Sequence, residues 1–304
     1  MNKISNVKVT GLHGFKENTV SVDFLPNKPM SFLIGWNGIG KSTCLRLLSA
    51  ALGRGAALKL NEESLKILDS IKFDTLEISF TDGYELRLKK GISQGDLEKG
   101  WENEPYVKSK SCDYTYLLKN AKNIIVPNGV DRTDLKINLL SCDEYYKTKS
   151  LKFNFMQNHK IREKECKIFE YVISNPELTN KYIKINRDNG ELEITAKYGK
   201  KEYKGLTTDI LSQGEKNLLL LYYHLIFKIP NNLPADSIFV QLIDTPETNT
   251  HIDSMITFYD NLTYINEALG RNDNYQFIIA THSPAITYNH NELMREMRRT
   301  KNGS

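Results

Sequence analysis

A glycine-rich segment near the start of the chain, GWNGIGKS at positions 35–42, constrains the fold more than any other feature. The short apolar run 31–34 precedes it, and Leu45, Leu48 and Leu52 follow at the spacing of one helix face. The pattern G-x-x-x-x-G-K-[ST] between a strand and a helix predicts a loop whose backbone N–H groups hold a polyphosphate. An α/β fold with a phosphate-binding loop is therefore expected.

The residues of this loop have predicted roles in nucleotide binding. Lys41 is expected to reach the β- and γ-phosphates of a nucleotide, and Ser42 to place its hydroxyl on Mg²⁺. The expected nucleotide-binding residues of the loop are Gly35, Asn37, Gly38, Gly40, Lys41, Ser42 and Thr43.

Two polar residues follow dense apolar runs nearer the C-terminus. Asp244 closes the run 237–243, where a carboxylate is unfavourable unless it binds something, so it is the predicted second magnesium ligand. The alternative is an aspartate that caps the next turn. His282 follows the run 276–280 at the carboxyl edge of the expected sheet, where such folds bind ligands, and is a candidate sensor of the γ-phosphate.

The segment LSQGEKN at 211–217 precedes a helix that is apolar nearly all round, 218–227. Ser212 and Gly214 offer a hydroxyl, a close backbone approach and a helix dipole to an anion. The simpler interpretation is a helix start in which Ser212 caps and Glu215 completes a capping box. The two interpretations are compatible.

These four segments, in this order, resemble an ABC-type ATPase head of the kind found in SMC-like repair proteins, OLD-type proteins, related AAA-annotated ATPases and the ATPase subunits of Septu-like antiphage systems. The resemblance implies ATP and Mg²⁺ as ligands. It also implies a homodimer, extending to higher oligomers, in which Ser212 and Gly214 of one copy close head to tail over ATP held by the other. Lys41, Glu247 and His282 are the catalytic candidates under this resemblance.

The chain departs from the family pattern at Thr245, which stands where the family usually has its catalytic glutamate. Threonine does not accept a proton from water at neutral pH, so slow hydrolysis is expected. Glu247 is the nearest carboxylate and is either the base or a structural residue. His251, within the expected subunit-contact loop 248–253, replaces a frequent aspartate and is compatible with the AAA-annotated branch.

Two further assignments stay open. The glutamine that in this family links the nucleotide to the inserted lobe is either Gln94 or Gln157. Phe15 lies either near the adenine or in the core.

Residue patterns divide the chain into three parts. Residues 1–90 are expected to form the N-terminal part of the ATPase core with an antiparallel β subdomain, because alternating runs flank Asp82-Gly83 as a hairpin. Residues 91–180 have weaker patterns and are interpreted as an inserted lobe, helical over 145–174. Residues 181–304 complete the core with a second hairpin, in which Ile183 and Ile185 face Leu192 and Ile194, and a strand–helix–strand crossover. The expected fold is α/β with a mixed or parallel central sheet.

Composition limits the other possibilities. The four cysteines show no metal-binding spacing, which favours reduced thiols. The net charge of +4 is mild, and the lysine-rich stretch 147–167 is more typical of a solvated helix face than of a nucleic-acid groove. The sequence therefore neither predicts nor excludes nucleic acid as a partner. No run reaches membrane-spanning length and no export signal is evident, so a cytoplasmic protein is expected.

The leading functional hypothesis is an ATPase that dimerises around ATP and controls a separate effector, such as a nuclease or toxin in antiphage defence or DNA processing. Arms of coiled coil and a C-terminal nuclease domain are not expected, because heptads are absent and little sequence follows His282. A second hypothesis, prompted by Thr245, is an ATP sensor or scaffold that does not hydrolyse. A third is the nucleotide-binding subunit of a transporter.

Overall fold

The protein is described by a computed structural model that covers most of the chain. It describes residues 3–14, 18–25, 27–52, 62–81, 83, 85–90, 106–108, 113–119, 135–142, 153, 155–157, 160–174, 181–234, 237–248, 250, 254–255, 257–271, 273–283 and 291–301.

The strands, in chain order, are β1 (Ile4–Thr10), β2 (Asn18–Asp23), β3 (Met30–Ile34), β4 (Thr75–Phe80), β5 (Glu85–Lys90), β6 (Tyr106–Lys108), β7 (Asp113–Lys119), β8 (Leu135–Ser141), β9 (Met156–Gln157), β10 (Lys160–Ile161), β11 (Lys181–Ile185), β12 (Leu192–Tyr198), β13 (Lys201–Leu206), β14 (Ile238–Asp244), β15 (Tyr275–Ala280), β16 (Met294–Glu296) and β17 (Arg298–Lys301). The helices are α1 (Lys41–Leu52), α2 (Glu62–Ser70), α3 (Glu163–Ile173), α4 (Gln213–Tyr223) and α5 (Phe258–Ala268), and α4 continues into a π-helical turn over His224–Lys228.

A parallel sheet lies at the centre of the fold. Its strand order is β16-β3-β15-β14-β8, and every neighbouring pair is parallel. All residues of β14 and β15 are buried, as expected for central strands that are covered on both faces. The α5 helix connects these two strands as a crossover, which the apolar spacing of that region predicts.

Each face of the parallel sheet contacts a different layer. On one face, Val240, Leu242 and Ile278 pack in an apolar cluster with α1 and the inward residues of β1, β2 and β4. On the other face, Phe239 and Ile279 pack with α3, α4 and α5. The apolar character of α4 on nearly all sides follows from its position within this second cluster.

A seven-stranded antiparallel sheet covers α1, with the order β17-β2-β1-β4-β5-β7-β6. A buried side chain joins it to the parallel sheet, because Gln276 accepts from the Ile4 N–H at 2.9 Å and donates to the Ile4 carbonyl at 2.8 Å. Both backbone polar groups of Ile4 therefore have hydrogen-bond partners in the apolar interior.

A smaller antiparallel sheet, β11-β12-β13, packs beside α3 and leads directly toward α4. Its first hairpin has the register that the sequence predicts, with Ile183 opposite Ile194 and Ile185 opposite Leu192. The short strands β9 and β10 form a separate antiparallel pair.

The predicted α/β class, with a parallel central sheet and an N-terminal antiparallel sheet, is confirmed. The predicted helix over 145–174 is too long: among its described residues the helix begins only at Glu163, because β9 and β10 pair before it. The predicted boundaries at 90 and 180 stay a prediction, and within that range β8 pairs with β14 in the parallel sheet. No helix in the described part of the chain is long and apolar enough to cross a membrane.

Candidate nucleotide-binding site

The glycine loop lies between β3 and α1, at the carboxyl edge of the parallel sheet. Gly35, Gly38 and Gly40 have φ angles of 148°, 79° and 106°, in the region that favours glycine. A Cβ at Gly40 would lie 2.7 Å from Leu12 Cδ2, so a larger residue would have to displace that side chain as well as strain the backbone. The backbone therefore curls as a phosphate-binding loop requires.

Lys41 begins α1 and its side chain folds back over the loop. Its ammonium donates to the carbonyl oxygens of Gly35 at 2.8 Å and Trp36 at 3.4 Å. Burial lowers the pKa of Lys41, and the carboxylates of Asp244 and Glu247 partly oppose this effect. A cation held by neutral carbonyls above a glycine loop is well placed for exchange onto phosphate oxygens.

Ser42 and Asp244 meet across the sheet, although they are 202 residues apart in sequence. The Ser42 hydroxyl donates to Asp244 Oδ1 at 2.9 Å. One hydroxyl and one carboxylate fit Mg²⁺, which typically takes one or two protein oxygens and completes its shell with water and phosphate. Among the described residues no group of three or more histidine, cysteine, aspartate or glutamate side chains could hold a metal ion.

The register of the parallel strands brings Ser42 and Asp244 together. Asp244 pairs with Ala280, and Ala280 pairs with Leu33, so the ends of three parallel strands form one row. The Thr245 and Thr281 amides continue the row by donating to the carbonyls of Ala280 and Leu33. The loop, the aspartate and the segment that carries His282 therefore emerge side by side.

Thr245 adopts φ of 51°, a left-handed conformation that is unusual for a β-branched residue. Such strain concentrates at functional sites, and here it turns the chain sharply after Asp244. Thr248 stabilises the turn, because its backbone N–H and its hydroxyl both donate to the Thr245 carbonyl.

Glu247 uses both carboxylate oxygens for hydrogen bonds to the neighbouring strand end. Oε2 accepts from the Thr281 hydroxyl at 3.0 Å, and Oε1 accepts from the His282 N–H at 2.6 Å. The geometry thus gives Glu247 a positioning role for the His282 segment. The sequence left this role open against that of a base.

His282 itself is exposed at the carboxyl edge. Its backbone is fixed by Glu247, and the next residue, Ser283, donates its N–H to the Thr281 hydroxyl at 3.0 Å. The imidazole is thus presented to solvent on a backbone that two hydrogen bonds hold in place.

Ser212 and Gly214 lie at the start of α4. The Ser212 hydroxyl accepts from the Glu215 N–H at 3.2 Å, and Glu215 Oε2 accepts from the Ser212 N–H at 2.8 Å, which completes the predicted capping box. Within the described part of the chain no hydrogen bond connects Ser212 or Gly214 with the glycine loop.

Lys181 supports the capping box from outside the predicted motif. Its ammonium contacts both carboxylate oxygens of Glu215, at 2.7 and 2.9 Å, and both side chains are largely buried. No sequence spacing connects the two residues, because β11 and α4 meet only in the folded chain.

Asn217 connects α4 to the loop that follows β14. It donates to the Thr248 carbonyl at 2.8 Å and accepts from Gln213 at 2.9 Å. The start of α4 and the strained turn after Asp244 are therefore held to each other.

His13 lies beside the glycine loop, at a position that sequence reasoning missed. It follows β1 with φ of 59°, and its Nε2 lies 3.8 Å from the position of a Cβ on Gly40. The His13 N–H donates to the Lys72 carbonyl at 2.7 Å, which fixes the turn beside the glycine loop. The signal in the sequence was the flanking pair Gly11 and Gly14, both at positive φ.

Some predicted site residues lie outside the described part of the chain or have no described side chain. Phe15, Gln94 and His251 lie outside the described residues, and Gln157 lies in β9 without a described side chain. Asn37 is exposed at the loop tip, and Thr43 lies in the first turn of α1, so both stay predicted contacts.

Comparisons with known proteins give no match among protein-family models and none among curated proteins. Solved structures of SMC head domains do match. An SMC head bound to the C-terminal winged-helix domain of ScpA is 14% identical with a TM-score of 0.49, over 99% of this chain and 98% of that chain. The SMC head domain from Thermotoga maritima is 13% identical with a TM-score of 0.49, over 98% and 99%. An Smc head with an extended coiled coil, bound to the C-terminal domain of ScpA from Pyrococcus furiosus, is 11% identical with a TM-score of 0.49, over 99% and 97%.

A Glu247→Gln variant tests the positioning role. The amide supplies only one acceptor oxygen, so one of the two donors loses its partner, and we expect the free energy of unfolding to fall by about 1–3 kcal/mol without any nucleotide. Urea unfolding measures this, with the exposed Glu267→Gln in α5 as the matched control. Equal stability of the Glu247→Gln variant and the wild type would contradict the role.

Proposed function

We propose that this chain binds ATP with Mg²⁺ at the glycine loop and that two copies close head to tail around the nucleotide. The observation that carries this proposal is the hydrogen bond between Ser42 and Asp244, beside a glycine loop that holds the Lys41 ammonium. Positive φ angles, a buried cation and a hydroxyl–carboxylate pair occur together as a triphosphate with magnesium requires.

The glycine loop, Lys41, Ser42 and Asp244 supply the groups that this proposal needs for binding ATP with Mg²⁺. The N–H groups of the loop and of the start of α1 donate hydrogen bonds to the phosphate oxygens, and Lys41 exchanges two carbonyl partners for phosphate oxygens. Ser42 and Asp244 would each supply one oxygen to Mg²⁺. Magnesium, when bound, supplies charge neutralisation between the β- and γ-phosphates.

Exposed apolar side chains support closure of two copies. Trp36, in the glycine loop, is 84% exposed, and Ile210, two residues before Ser212, is 38% exposed. In a head-to-tail dimer the loop of one copy faces the Ser212 helix start of the other, so both side chains would become covered. The Ser212 hydroxyl and the dipole of α4 would then face the γ-phosphate.

Slow turnover follows from the carboxylate arrangement. Thr245 offers no base, and both oxygens of Glu247 already accept hydrogen bonds. These observations also favour the second candidate, an ATP sensor whose closed state persists without hydrolysis. Steady-state phosphate release separates the two, since a rate equal to that of a Lys41→Ala variant indicates the sensor.

The output of closure, in this proposal, is control of a separate effector in the cytoplasm, such as a nuclease or toxin of a bacterial defence system. This part rests on the resemblance of the four sequence segments to ABC-type heads. Isolation of the chain with its neighbouring gene product, with and without ATP, is the experiment for it.

Ser212→Asp tests the dimer. Aspartate caps a helix as well as serine does, so α4 should keep its start, but its charge faces the γ-phosphate of the opposing copy. We expect ATP-dependent dimerisation, measured by light scattering, to weaken at least tenfold while ATP binding by the single copy is unchanged.

Ser212→Asn is the matched control, because it caps without adding charge. Intrinsic fluorescence gives a second measurement: the chain has two tryptophans, so a Trp101→Phe background isolates Trp36. Addition of ATP should shift its emission to the blue in this background and in Ser212→Asn, but not in Ser212→Asp. An unchanged dimer in Ser212→Asp would count against the role of α4.

Thr245→Glu tests the missing base. A carboxylate at this position should raise the rate of phosphate release by about 10²-fold, the lower end of general-base contributions. Thr245→Gln has the same size and no base and is the control. A rate for Thr245→Glu no higher than that for Thr245→Gln would show that absence of a base does not limit turnover.

His13→Gly tests the residue beside the loop. Glycine accepts the left-handed backbone at this position and removes only the imidazole, so the loop should keep its shape. We propose that the imidazole donates a hydrogen bond to a phosphate oxygen, and loss of that bond predicts a roughly tenfold weaker affinity for ATP with Mg²⁺ by calorimetry. Wild-type affinity with an unchanged thermal unfolding midpoint would remove His13 from the site.

A further inference from the structure

The β11-β12-β13 sheet ends in a projecting segment that the proposed ATP site does not use. We define the tyrosine–lysine tip as residues 197–204, KYGKKEYK, which close the β12–β13 hairpin. Every residue of this segment is exposed. Since β13 is an edge strand, the tip is accessible from both faces and along its edge.

The two tyrosines of the tip lie together on one face. Tyr198 is 56% exposed and Tyr203 is 46% exposed, and their ring centroids are 6.0 Å apart at an interplanar angle of 69°. Inward-facing neighbours on the same face, such as Ala196, are buried, but no core covers the two rings. An edge-on pair leaves ring faces free to stack on a further aromatic group.

The charges of the tip are strongly asymmetric. Its lysines are Lys197, Lys200, Lys201 and Lys204, and its acid is Glu202. None of these lysines forms an ion pair with any residue that the structure describes. Lys197 instead lies over the ring of Tyr182 on β11, with Nζ 4.9 Å from the ring centroid. The tip therefore carries four ammonium groups and one carboxylate, with Lys201 opposite Tyr198 on the face of the two rings and Lys197 opposite Glu202 on the other face.

We propose that the tyrosine–lysine tip binds single-stranded nucleic acid, with lysines on phosphates and bases stacked on Tyr198 and Tyr203. Exposed rings beside lysine side chains are the combination that binds single strands, since every base has a face for stacking and every nucleotide has a charge. A protein partner fits less well, because lysine is depleted from the cores of protein interfaces. Duplex DNA fits less well because its bases are already stacked.

A binding assay without ATP tests this proposal independently of the nucleotide site. Fluorescence anisotropy is measured with a labelled oligothymidylate of about 20 nucleotides, which covers one site of the usual size. The same backbone without bases and a duplex of the same length serve as comparison probes. We expect the oligothymidylate to bind at least tenfold more tightly than the abasic strand, as expected from one to two stacked bases.

Paired variants assign the binding to the tip. Tyr198→Ala with Tyr203→Ala should lower the affinity for oligothymidylate about tenfold and leave the abasic strand unaffected. Lys200→Gln with Lys201→Gln should reduce the dependence of log affinity on log salt by about 1.4. Tyr171→Ala with Tyr264→Ala, an exposed ring pair on α3 and α5, is the matched control and should bind like wild type.

Several results would overturn the proposal. They are absence of binding at low salt, equal affinity for the abasic strand or the duplex, and equal losses in the tip and control variants. Competition by polyglutamate as effective as that by oligothymidylate would identify an acidic protein as the partner and would overturn it as well. Thermal unfolding of each variant confirms that the sheet is intact.

Discussion

The parallel register of β3, β15 and β14 is the constraint on which the candidate site depends. Leu33, Ala280 and Asp244 lie in one row across the sheet, so the glycine loop, His282 and the strained turn at Thr245 begin within a residue or two of each other. A slip of one residue would turn each of these side chains to the other face of the sheet. Burial of both faces of the central strands prevents such a slip, because each face carries its own apolar cluster.

Local sequence predicted the features that depend on neighbouring residues. The glycine loop, the start of α1 at Lys41 and the Ser212 capping box all have signals within a few positions, and the structure contains each of them. The sequence predicted that Ser42 and Asp244 both bind magnesium, but it did not predict the hydrogen bond between them. That bond depends on the register of the strands in the parallel sheet, which exists only in the folded chain. The nucleotide contacts predicted for Asn37 and Thr43 depend on a bound ligand and stay predictions.

Features that the sequence did not predict arise from pairing over long distances. Gln276 is an ordinary polar residue in an apolar run until Ile4 supplies both of its partners. Glu247 was open between base and structural residue, and only the positions of Thr281 and His282 assign it to the neighbouring strand end. The strands β16 and β17 have too few residues for a periodic pattern, and they are stabilised by pairing with β3 and β2.

The ion pair between Lys181 and Glu215 has a mechanical consequence. Lys181 is the first residue of β11, and Glu215 also fixes the backbone of Ser212, so one carboxylate holds the small sheet and the beginning of α4 in a common frame. A load applied to the sheet can reach the helix through this carboxylate, beside the apolar contact in which Ile183 packs in one cluster with Leu218 and Leu219. By thermodynamic reciprocity, an event at the helix start that changes this ion pair would alter the preferred orientation of the sheet by the same free energy.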